Sequence, residues 1–147
     1  MASSQLDNVI RMAKERRDEA AQRLADGQAA VRSAQQQVEQ LVQYQQMYLE
    51  QNRAESMQGM SVHSLAQARQ FIGELSHLID AQQNLVVGKE REAEALAEAW
   101  REASRYQQAV EKLAQIRKTE AAVAREKREQ QQLDDLFSQQ LGYPHHH

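Results

Sequence analysis

The chain has 147 residues, one Pro, five Gly, no Cys, 5% aromatic residues and a formal net charge of −3. Such a composition excludes a disulfide framework and thiol chemistry and does not suit a wide globular core; the surplus of Ala, Gln, Glu and Arg fits long helices with a narrow apolar seam. No stretch approaches the ~20 apolar residues that span a bilayer, and "MASSQLDNVIRMAKERR" has no apolar run ahead of a cleavage site, so a soluble, cytoplasmic, single-domain protein is expected.

The first element is a helix over about 4–55. Positions alternating by four and three from Leu6 run Leu6, Ile10, Ala13, Arg17, Ala20, Leu24, Gly27, Val31, Ala34, Val38, Leu41, Gln45, Tyr48 and Asn52. Ten of these fourteen are apolar, and a 3.5-residue period held over six heptads is the signature of a coiled-coil helix. With Leu6 as a d position, Ile10, Leu24, Val31 and Val38 fall at a.

The character changes in "LVQYQQMYLEQNRAESMQGMS", residues 41–61, where the seam passes through Gln45 and Tyr48 with Tyr44 beside it. Gly59 with Ser56, Ser61 and Ser64 then predicts a turn over about 56–63. "SLAQ", Ser64 to Gln67, has capping-box spacing and predicts the start of a second helix over about 64–140. Its seam runs Leu65, Ala68, Ile72, Leu75, Ile79, Gln82, Val86, Lys89, Ala93, Leu96, Trp100, Ala103, Gln107, Val110 and Ala114, then drifts through Ile116, Ala121 and Ala124 to Leu133, Leu136 and Phe137. Gly73 and Gly88 weaken this helix by ~1 kcal/mol each without breaking it.

Two helices joined by so short a turn fold back antiparallel. The expected fold is therefore all-α, a long antiparallel two-helix coiled coil over 1–144 whose C-terminal helix is the longer. If paired positions sum to about 120, Leu24 meets Leu96, Ala93 faces Gly27, and Trp100 faces Ala20 and Ala21, large against small throughout. At 1.5 Å per residue the helices would span roughly 75 and 110 Å, a rod with an overhang. A dimeric coiled coil without the hairpin is the alternative, but it leaves the Gly59 turn without a purpose. The terminal His145–His147 reads as the remnant of an affinity tag.

Nothing in the sequence builds a catalytic constellation. His63 and His77 stand fourteen residues apart, no HExxH, GxSxG or phosphate-binding loop occurs, and the carboxylates interleave with Lys and Arg as solvated i,i+4 partners do. An enzyme is not expected, nor a cofactor or a metal.

Two asymmetries are informative. Residues 33–100, around the turn, carry a balance of −5, whereas residues 11–32 carry +2 and residues 101–128 carry +4. An acidic tip and a basic open end are expected. "RKTEAAVAREKRE" alternates its signs and lacks a dense basic block, so nucleic acid is a weaker candidate than protein. The second asymmetry is beside the seam. In the second helix the g positions, Phe71, Leu78, Leu85, Glu92, Ala99, Tyr106 and Leu113, are mostly large and apolar, while the e positions are mostly polar. Antiparallel g flanks share a side, so Tyr44, Phe71 and Leu78 converge there, flanked by Tyr48 and Leu75. A widened seam is one reading of this flank. A pair of helices has no third helix to cover it, which favours a partner surface.

"LVQYQQMY" before a Gly-containing turn, "RQFIGELSHLI" after it, "AWREASRYQ" with its single Trp–Arg, and "LDDLF" together resemble the FliJ family of the bacterial flagellar export apparatus. The resemblance covers nearly the whole chain. It implies a stalk-like rod that docks into the hexameric flagellar export ATPase, promotes its assembly and activity, and couples it to the cytoplasmic part of the membrane export gate, with export chaperones as further partners. It implies a cytoplasmic place, peripheral to the inner membrane at the flagellar base, and a monomer when isolated. By position, the gate-binding patch corresponds to Gln37, Leu41, Tyr44, Tyr48, Phe71, Leu75, Leu78 and Gln82, the last often basic or His in relatives. The ATPase end corresponds to the basic residues Arg11, Lys14, Arg16, Arg17, Arg117, Lys118 and Arg125. The alternatives are an export chaperone or adaptor that binds clients through the apolar ridge, the equivalent stalk of a virulence type III system, and a self-associating structural coiled coil.

Overall fold

A computed structural model describes residues 2–141, with side chains from Ser4 onward; His145–His147 lie outside the described residues. Two helices form, α1 over Ala2–Met57 and α2 over Val62–Gln140, of 56 and 79 residues. They pack against each other as an antiparallel coiled coil in which α2 is the longer. Within α1 no Pro interrupts the backbone, and Ala, Gln, Glu and Arg are strong helix formers, so propensity and seam burial act together.

The connection is shorter than its composition suggests. Gln58 N–H and Gly59 N–H donate to the carbonyls of Glu55 and Ser56, closing the last turn of α1. Gly59 has φ +97°, a left-handed backbone that L side chains adopt only at a cost, which is why Gly stands there. Helix α2 then starts two residues earlier than the expected Ser64. Its N-cap is Ser61: the Ser61 carbonyl accepts the first helical bond from Leu65 N–H, and its Oγ accepts the Ser64 N–H at 3.1 Å. The predicted Ser64–Gln67 capping box is thereby replaced. Ser61 comes first along the chain after Gly59, and its hydroxyl satisfies the N3 donor there.

Two compact units are distinguishable among the described residues, 17–102 and 2–16 with 103–141. In the first unit the predicted seam is the core. Ala34, Ala68, Leu75 and Ile79 are buried, and the remaining seam residues from Arg17 to Leu96 are half-buried. A Cβ placed on Gly27 would meet Leu96 Cδ1 at 2.7 Å and Ala93 Cα at 3.6 Å, as the expected register requires. Trp100 is the least covered of these seam positions, 36% exposed, its indole being larger than so narrow a seam can cover completely.

In the second unit Ala13, Ala103, Gln107 and Ala114 are buried. Lys14 Nζ pairs with Glu111 across the helices at 3.8 Å, and the Arg16 guanidinium lies 5.6 Å from the Tyr106 ring centroid. From Gln115 to Phe137 every residue of α2 is exposed. No helix among the described residues is long and apolar enough to cross a membrane.

Candidate functional site

The eight patch residues occupy only two kinds of seam position. Gln37, Tyr44, Phe71 and Leu78 are at g, and Leu41, Tyr48, Leu75 and Gln82 are at d, so all eight lie toward one side of the seam in the first unit. The rings interlock: Phe71 meets Tyr48 edge-on at 4.7 Å and Tyr44 at 6.4 Å between centroids. Beyond them Gln82 Nε2 donates to Gln37 Oε1 at 2.7 Å, joining the helices on the same side.

Depth separates the eight. Tyr44 and Leu78 are 51% and 55% exposed, and Gln37 is exposed beside them. Leu41, Tyr48, Phe71 and Gln82 are half-buried, while Leu75 is buried at 4%. Tyr44 and Leu78 are therefore the accessible residues of the flank, Phe71 meets Tyr44 and is itself backed by Tyr48, and Leu75 belongs to the core. Leu85, one turn pair further along g, is also exposed and lengthens the apolar crest.

The opposite flank holds a feature that the apolar pattern did not single out. A shallow groove runs between Leu49, Leu65, Ala68 and Ile72, rimmed by Arg53 and Arg69. These two are the only basic residues between 33 and 88, and neither makes an ion pair among the described residues. The signal was available in the register: 53 and 69 sum close to the hairpin value, which sets them across from each other. Between the flanks, Gln45 sits at an a position and donates from Nε2 to Ser76 Oγ at 2.8 Å and to the Ile72 carbonyl at 3.3 Å.

The basic candidates also separate. Arg11 is paired with Glu15 at 3.0 Å, Arg17 with Asp18 at 3.0 Å, Lys14 with Glu111, and Arg16 is stacked on Tyr106. Arg117, Lys118 and Arg125 are exposed and have no such partner among the described residues. Exposed pairs are worth roughly 0–1 kcal/mol, so Arg11, Lys14 and Arg17 remain available to a partner at small cost. Arg101, from the Trp–Arg dipeptide, is held by its own helix: Glu94 accepts from it at 2.8 Å and Glu98 at 3.0 Å. These two carboxylates raise its pKa above the ordinary arginine value and keep it charged.

His63 and His77 are exposed, and no group of three or more His, Cys, Asp or Glu able to hold a metal occurs among the described residues. The arrangement offers surfaces: an aromatic and aliphatic crest on one flank, an arginine-rimmed groove on the other, and exposed cations along α2. A sequence profile described as the flagellar FliJ protein matches residues 2–143. No curated protein and no solved structure is significantly similar to the chain.

Proposed function

The chain belongs to the flagellar FliJ protein family and is a component of the flagellar export apparatus; from that premise we propose that it couples the hexameric export ATPase to the membrane export gate. The crest of Tyr44, Leu78 and their supports contacts the cytoplasmic part of the gate. The cations of the N-terminal stretch of α1 and the matching stretch of α2 contact the ATPase ring, with Arg117, Lys118 and Arg125 as the least encumbered. Two unbroken helices supply mechanical continuity, and the one-sided apolar flank supplies the asymmetry that a component acting within a six-fold ring needs.

The observation that supports this reading best is the exposure of Tyr44 and Leu78 beside the buried Leu75 and the half-buried Phe71 and Tyr48. Exposed apolar side chains held rigidly from beneath are what a docking surface requires, because little conformational entropy is lost on binding. Calorimetric titration of the gate's cytoplasmic domain with Tyr44→Ala and Leu78→Ala tests it. A loss of binding by both, with ATPase binding retained, is expected; unchanged gate affinity would refute the assignment.

A second reading is favoured by the length of the crest, which continues to Leu85. An adaptor that holds export chaperones or clients would use the same ridge. It predicts that the crest variants lose those proteins and leave ATP hydrolysis unaltered.

A further inference from the structure

The arginine-rimmed groove lies on the flank opposite the crest, within the same compact unit. Its floor is Ala68, buried at 6%, with Leu65 and Ile72 half-buried beside it, and Leu49 stands 44% exposed along one wall. The groove holds about 640 Å³. Its α1 wall runs from Gln46 to Ser56, a rise of ~15 Å, or nearly three helical turns. An apolar furrow of that length between two helices matches the side of a third helix.

Nothing in the chain neutralises the two arginines. Arg69 has Leu65, Ala66, Ile72 and Gly73 at the positions three and four residues away, so its own helix offers it no carboxylate. Glu50, the one carboxylate of the lining, stands three residues before Arg53 and makes no ion pair with it. Elsewhere Arg11, Lys89 and Arg101 each take a carboxylate at a spacing of three or four. The register sets Arg53 and Arg69 across the groove from each other, and two like charges so placed are unfavourable until an anion joins them.

The surroundings decide what kind of anion fits. Residues 41–80 hold Glu50, Glu55, Glu74 and Asp80 against these two arginines. An extended anionic surface, membrane or nucleic acid, would meet net like charge there. Single carboxylates on an apolar helix would not: a guanidinium takes each one bidentately while aliphatic side chains cover the floor.

We propose that this groove takes an amphipathic helix of a partner protein, apolar along its seam and carrying Asp or Glu on both flanks. One flank reaches Arg53 and the other Arg69, and the three helices form a local three-stranded bundle. Because the groove and the crest lie on opposite flanks, the hairpin holds two partners at once. This inference goes beyond the coupling role and does not rest on it.

The probe is a synthetic peptide of three heptads with Leu at a and d and Glu at e and g, whose like charges oppose its pairing with itself. Fluorescence anisotropy of the labelled peptide, titrated with the full chain, should show saturable binding that weakens with salt. R53E and R69E should each weaken it by about tenfold. The double variant should bind a Lys-for-Glu peptide more tightly than the parent does. Both arginines are exposed, and unchanged circular dichroism would show that the hairpin persists. Tyr44→Ala and Leu78→Ala, on the other flank, should leave the affinity as it is. A parent chain that fails to bind the acidic peptide up to near-millimolar concentration would overturn the proposal. So would equal binding of a Gln-for-Glu peptide, equal binding by the arginine variants, or loss of binding in the crest variants. Self-association in sedimentation, or flotation with phosphatidylglycerol vesicles, that the arginine variants abolish would give the groove to a second copy or to a membrane and overturn it as well.

Discussion

The Phe71 ring stands edge-on to Tyr48, 4.7 Å between centroids and inclined by 61°, and in that position it carries the exposed Tyr44 on its outer side. Support and exposure are therefore divided between different residues. Phe71→Ala should cost about 1–2 kcal/mol of stability, less than a fully buried Phe, because it removes an aromatic pair and leaves a gap against Tyr48. Tyr44→Ala and Leu78→Ala should stay within about 0.5 kcal/mol of the parent. Urea unfolding followed by circular dichroism separates the two groups; equal losses for Tyr44 and Phe71 would mean that the crest is part of the core.

The glycines should diverge by position. Gly73 and Gly88 have open space where a methyl group would stand, so alanine there should stabilise by about 0.5–1 kcal/mol through helix propensity. At Gly27 the same methyl would press on Leu96 Cδ1, and the propensity gain is offset by displacing that side chain. Gly59→Ala should destabilise by about 1 kcal/mol, because φ +97° is strained for any residue with a Cβ. Thermal or urea melts of the four single variants give the order directly.

The turn offers a sharper contrast. Ser61→Ala removes the acceptor for the Ser64 N–H and should cost about 1 kcal/mol. Ser64→Ala loses only an exposed hydroxyl contact with Ser61 and should cost a few tenths of that. The opposite order, again read from urea midpoints, would return the N-cap to Ser64.

Gln45 is a polar a position whose amide reaches across to Ser76. Gln45→Leu should stabilise the hairpin by about 1 kcal/mol, since an apolar group replaces a half-buried amide, and it should relax the register that the amide specifies. A higher urea midpoint together with looser hydrogen-exchange protection near Ser76 is expected. A lower midpoint would show that the two hydrogen bonds outweigh the burial.

The seam was legible because one period governs burial along a two-helix contact: the predicted positions from Ile10 to Ala114 are all covered at least in part, Trp100 the least of them. Trp100 is covered less than its neighbours because periodicity reports direction and says nothing of how much of an indole a small facing surface can cover. The N-cap departs from expectation for a related reason. Ser61 and Ser64 are equally good caps by type, and only the path of the chain after Gly59 decides between them. The crest was legible as a flank of g positions, but its division into Tyr44 and Leu78 outside and Leu75 inside depends on the packing of two particular helices. The Arg53–Arg69 groove escaped a reading based on apolar pattern, although its charges and register were both in the sequence.

ATP hydrolysis by the flagellar export ATPase, titrated with the full chain, tests the stalk role of this family member most directly. Stimulation that saturates near one copy per hexameric ring is expected, weakened when Arg117, Lys118 and Arg125 are replaced together by Gln. Hydrolysis that is unchanged by this protein, with the ring shown to be assembled and active, would contradict the stalk role and leave the adaptor reading in its place.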